Sequence, residues 1–167
     1  MRDANRFMNI KEWTEHDKIT AAHHEAGHFI VAKHFKVVHS SLLIATGKKP
    51  TAETKCFVGK TIYRGTTRFR EAAIAWAGPL AEEMARNGQS MQAWQSDCDT
   101  LWEHFEFGDL GAGRISEVSC SDLEAINAHP MKRRAFNTAV SILSKNFEET
   151  KRVAAVLIED GCIDASL

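Results

Sequence analysis

The sequence predicts an α+β protein, mainly α, with a small antiparallel sheet next to one motif-bearing helix. Three observations carry this. Apolar residues recur at helical spacing over most of the chain, two short β-branched runs flank a polar, turn-rich segment, and an H-E-x-x-H run sits inside one of the helical stretches.

Residues 1–15 read as a loose arm or a short helix. A helix is predicted over about 17–35, where Ile19, Ala22, Ala26, Phe29, Ile30 and Ala32 form the periodic set and Asp17 or Thr20 offers a cap. VVHSSLLIA (37–45) and KCFVGKTIY (55–63) read as paired strands joined by TGKKPTAET. Thr66 or Thr67 can cap the next helix, whose apolar stripe is Phe69, Ala73, Trp76, Leu80 and Met84. Gly78-Pro79 is expected to kink or interrupt it, and Asn87-Gly88 to end it. A third helix is expected from about Met91 to Gly108 with the stripe Trp94, Cys98, Leu101 and Phe105, followed by a Gly-rich loop, FGDLGAGR. Two more helices are expected at about 121–128 and 131–160, the second broken near Asn146.

Composition excludes several classes of function. The 167 residues suit one domain with its own core, at 44% hydrophobic and 26% charged. A net charge of −1 supplies no field to draw nucleic acid or an anionic membrane. No run of about 18 apolar residues suggests a bilayer span, and the polar start MRDANRFMNIKEW lacks a signal-peptide core. Cys56, Cys98, Cys120 and Cys162 are far apart, with no C-x-x-C pair, so they read as reduced thiols of a cytoplasmic protein.

The chemistry concentrates in HHEAGHFIVA, residues 23–32. His24 and His28 stand four apart, on one face of a helix about one turn from each other. Two imidazoles so placed can share a zinc ion, and Glu25 between them can act as a base toward water there. With 8 His and 14 Glu in the chain, only about 0.03 matches to this motif are expected by chance. Ala26 and Gly27 are small, which reads as room for water and a substrate backbone.

A catalytic zinc takes three protein ligands, and three places compete for the third. His34 follows His24 by ten residues, but Val31 stands where a chain-reversing Gly is needed, and a continuous helix carries His34 about 15 Å away. In AGPLAEEMA, a helical wheel puts Glu83 on the apolar side and points Glu82 away; such a carboxylate can bind metal or hold a ligand imidazole. In AWQSDCDTLW, Asp97 flanks the apolar stripe, Asp99 faces solvent, and Ser96 is a candidate helix start.

Taken in order, DKITAAHHEAGHFIVA, VHSSLLIATG, AGPLAEEMA and QSDCDTLW resemble the peptidase domain of the FtsH-type ATP-dependent zinc metalloproteases, over most of residues 17–107 and faintly beyond. The resemblance implies a zincin-like fold, Zn2+ held by His24, His28 and Asp97, Glu25 as catalytic base, and Glu82 and Glu83 as supports of the site. It divides the single domain of 1–167 into an arm (1–15), a catalytic part (17–107) and C-terminal helices (115–167). Pro79 replaces the family's usual Arg, and no phosphate-binding G-x-x-x-x-G-K-[ST] loop is present, so the expectation is a freestanding, ATP-independent domain.

The expected function is therefore zinc-dependent cleavage of peptide bonds in flexible or unfolded protein segments, with an edge strand from 37–45 or 55–63 receiving the substrate. A homo-oligomer, or a separate ATPase or adaptor, is compatible with this reading; a nucleic-acid or membrane partner is not. The alternative is a catalytically silent, zinc-bound interaction module, and a weaker third reading is a zinc hydrolase of small molecules. The peptidase reading rests on the downstream carboxyl, assigned here to Asp97, lying within bonding range of both imidazoles.

Overall fold

The computed structural model describes residues 10–49, 54–87, 90–106 and 120–166. Six helices are described: α1 (Ile10–His34), α2 (Arg68–Asn87), α3 (Met91–Glu106), α4 (Cys120–Asn127), α5 (Lys132–Lys145) and α6 (Phe147–Asp160). Three strands join them, β1 (Val38–Ala45), β2 (Phe57–Tyr63) and β3 (Cys162–Asp164). The chain is mainly helical with one small antiparallel sheet, as its patterning predicts. The expected Gly-rich loop at 107–114, residues 1–9 and the middle of the β1–β2 connection lie outside the described residues.

α1 begins at Ile10, well before the predicted start, so Asp17 and Thr20 lie inside it rather than capping it. Asp17 instead accepts a hydrogen bond from the backbone N–H of Cys56, at 2.9 Å, and ties the middle of α1 to the approach to β2. Lys36, with φ 59°, turns the chain out of α1 into β1. His34 ends α1 exposed to solvent, in keeping with a continuous helix.

β1 lies in the middle of the sheet, in the order β2-β1-β3. Ser41 faces Thr61 and Leu43 faces Gly59 across the β1–β2 ladder. On β2 burial alternates, with Phe57, Gly59, Thr61 and Tyr63 turned inward and Val58, Lys60 and Ile62 exposed. β3 was not anticipated from its three residues. Gly161, in the left-handed region at φ 77°, caps α6 and turns the chain back so that Ser40, Ser41 and Leu42 pair with it.

α2 is the central helix, packed against α1, α3, α4 and α5. Thr67 caps it, its hydroxyl accepting the Arg70 N–H. Residues 72–84 are buried without interruption. This explains why Pro79 does not break the helix: the packing of thirteen buried residues outweighs a penalty of about 3 kcal/mol for an interior proline. Gly27 serves the α1–α2 contact and not the reaction space, because a Cβ there would lie 2.1 Å from the Ala77 carbonyl oxygen.

α3 starts at Met91 with Ser90 as cap, its hydroxyl accepting the Ala93 N–H, so Ser96 and Asp97 fall within the helix. The break between α5 and α6 falls at Asn146, whose side-chain amide donates to the Ile142 carbonyl and whose own carbonyl accepts from Thr150. The core joins Phe29 and Ile30 of α1, Trp76 and Leu80 of α2, Trp94 of α3, and Phe136 and Leu157 of α5 and α6.

Candidate metal centre

α1 presents His24 and His28 toward α2, with Glu25 beside them toward the sheet. His24, Glu25 and His28 each offer a ligand atom within 4.8 Å of the others, a group able to hold a metal ion. The two Nε2 atoms stand 2.9 Å apart. A third donor joins them from α4: Asp122 Oδ2 lies 3.1 Å from His24 Nε2 and 3.4 Å from His28 Nε2. Tetrahedral ligands at about 2.05 Å from zinc are about 3.3 Å apart, so the three spacings fit one small cation.

The remaining ring nitrogens settle which neutral tautomer each ring adopts. His28 Nδ1 donates to the Ile74 carbonyl oxygen at 2.6 Å. His24 Nδ1 donates to Glu82 Oε1, also at 2.6 Å. In the neutral form each imidazole therefore carries its proton at Nδ1 and a lone pair at Nε2. Two lone pairs and an anionic oxygen then converge on one point, and only a cation, either protons or a metal ion, makes that arrangement stable.

Without a metal, protons take that role. Burial alone would lower the His24 pKa, but hydrogen bonds to Asp122 and Glu82 outweigh it and raise it from 6.5 to about 10. His28 is raised for the same reason, burial being outweighed by the Asp122 charge. Burial would raise the Asp122 carboxyl, yet the charges of His28 and His24 and their hydrogen bonds hold it well below the usual carboxylate range.

Two glycines clear the space. A Cβ on Gly78 of α2 would stand 2.6 Å from His24 Nε2 and His28 Nε2. One on Gly59 of β2 would stand 2.0 Å from Glu25 Cγ. The Glu25 side chain, buried at 5% exposure, accepts the Thr61 hydroxyl at 2.5 Å through Oε2.

The downstream carboxylate requires a correction. Asp97, expected as third ligand, is half-buried on α3 beside Cys98, whose thiol is raised by burial and by Glu83, Asp99 and Asp97. Among the described residues it is neither in the His24–Glu25–His28 group nor in an ion pair with either ring, whereas Asp122 pairs with both rings. The sequence held one signal for this: Ser121-Asp122 repeats the Ser-Asp pair of 96–97, and it sits in the first turn of a helix whereas Asp97 lies mid-helix. Glu82 is a second correction. The wheel turned it away from the core, but α2 is buried all round, and Glu82 (3% exposed) and Glu83 (2%) are both inside.

A scan against protein-family models finds no match for this chain, and a search of the curated proteins finds none either. No helix among the described residues is long and apolar enough to cross a membrane.

Proposed function

We propose that this chain is a zinc-dependent endopeptidase with a zincin-like, FtsH-type peptidase domain, cutting flexible or unfolded segments of proteins. The observation that carries it is the meeting of His24 Nε2, His28 Nε2 and Asp122 Oδ2, with the Glu25 carboxylate alongside. Two imidazoles plus one carboxylate favour zinc over the harder cations magnesium and calcium.

The chemistry a zinc ion supplies when bound is polarisation of the scissile carbonyl and acidification of water. His24, His28 and Asp122 hold it, while Glu82 and the Ile74 carbonyl fix the ring tautomers from behind. Glu25 takes the proton of the attacking water and passes it to the leaving amine. β1 is paired on both sides, so among the described residues β2, whose inward face carries Thr61 against Glu25, keeps an open edge to which an extended segment can add as a further strand. The intact base favours an enzyme over a silent zinc-bound module.

Cleavage of denatured casein by the zinc-loaded chain, with and without chelator, tests this. The Glu25→Gln variant is expected to keep its zinc and lose cleavage. Zinc-loaded wild type that cuts none of a panel of unfolded substrates would overturn the assignment.

A further inference from the structure

We propose that Thr61, backed by Ser41, is a positioning residue that holds Glu25 in the attitude needed to take a proton from water. This rests on the peptidase reading above and names a part of its machinery on the sheet rather than on α1.

The inward face of β2 is shaped around the Glu25 carboxylate at two successive positions. At Gly59 the absent side chain leaves room for Glu25 Cγ and Cδ, which a Cβ would approach to 2.0 and 2.5 Å. At Thr61 the hydroxyl meets Glu25 Oε2 at 2.5 Å. Behind it, Ser41 Oγ of β1, fully buried, lies 2.6 Å from Thr61 Oγ1. The two are direct cross-strand partners, so the backbone ladder itself sets their spacing.

The direction of this chain of hydroxyls follows from the proton count. An ionised carboxylate only accepts, so Thr61 donates its single proton to Glu25, and Ser41 donates to Thr61. Thr61 thus engages Oε2, while Oε1 lies against Gly59, 2.6 Å from where a Cβ would stand; Oε1, with no hydroxyl on it, is the oxygen the proposal assigns to the proton of water. A free glutamate spreads over several rotamers, and ordering one costs entropy that would otherwise fall due in the transition state. A hydroxyl pair with only a packing role needs no carboxylate, since Ser41 and Thr61 could satisfy each other. The fit of Gly59 and Thr61 to Glu25 together is what that simpler role leaves without a reason.

The test compares wild type, E25Q, T61V, T61S, S41A and the double variant S41A/T61V, each zinc-loaded, for zinc content, casein kcat and KM, and crystal structure. Val matches Thr in shape and suits a strand, and the double variant removes the buried hydroxyl that T61V leaves without its acceptor. T61V is expected to keep its zinc and KM while kcat falls about 10- to 100-fold, with T61S restoring most of it. S41A should show a smaller loss in kcat. In T61V crystals Glu25 should leave its single position against β2.

A T61V enzyme with wild-type kcat, or a loss in KM alone, overturns the positioning role. So does Glu25 held unchanged in zinc-loaded T61V crystals, a readout that needs no turnover. Failure of the peptidase reading is separate: wild type and E25Q would then be equally inert, while the crystal readout would still decide for or against Thr61.

Discussion

His24 Nδ1 and Glu82 Oε1 stand 2.6 Å apart, joining two helices through the back of the proposed metal site. The bond fixes the tautomer that turns a lone pair of His24 toward Asp122, and it makes the ring a better donor to a metal. Replacing Glu82 by Gln or Ala should therefore lower zinc affinity by about 10- to 100-fold without removing any ligand. Competition with a calibrated chelator measures this, and unchanged affinity would show that the bond has no part in ligation.

The choice between the two Ser-Asp carboxylates is decisive for the site. Asp122→Ala should reduce bound zinc from about one ion per chain to less than about a tenth after dialysis, because two imidazoles alone make a weak site. Asp97→Ala should keep its zinc. Elemental analysis of the two purified variants distinguishes them, and the reverse pattern would restore Asp97 as ligand.

Gly78→Ala sets two effects against each other. Alanine favours a helix over glycine by about 1 kcal/mol. The added Cβ, however, would stand 2.6 Å from both Nε2 atoms, the far ends of two side chains that must swing out of their converging positions to admit it. We expect the variant to fold, with little change in metal-free Tm, and to lose most of its zinc. Full occupancy in a folded variant would mean that α2 withdraws from the rings at little cost.

The cluster also gives the stability of the protein a definite pH dependence. His24 is raised from 6.5 to about 10 in the fold, so in the metal-free protein its contribution is complete below pH 6.5 and is lost as pH rises through about 10. Asp122 is depressed from 3.8, so its contribution is complete above that value and is lost as pH falls through its lowered folded value. Metal-free protein should therefore gain most from the cluster between about pH 4 and 6.5. Zinc must displace the same protons, so its stabilisation grows with pH. Melting curves with and without zinc from about pH 5 to 9 should diverge steadily as pH rises; a constant gap would contradict the shared role of these groups.

Much of the helical framework was legible from apolar spacing, including the break at Asn146, because α3, α5 and α6 each bury one stripe and expose much of the rest. That logic failed on α2. A helix enclosed on all sides has no exposed face for a wheel to find, so Glu82 was turned outward on paper and Pro79 was given a power to interrupt that the packing overrides. β3 escaped notice because three residues carry too little pattern, and its pairing depends on where α6 delivers them.

His24, Glu25 and His28 came from the sequence alone, because a helix's 3.6-residue turn places positions four apart side by side whatever surrounds them. The partner carboxylate did not. Asp97 and Asp122 each follow a serine in the sequence, and only the docking of α4 against α2 brings Asp122 to the rings. Local periodicity determines which side chains share a face; which distant helix end arrives at that face is settled by long-range packing, to which no short stretch of sequence is sensitive.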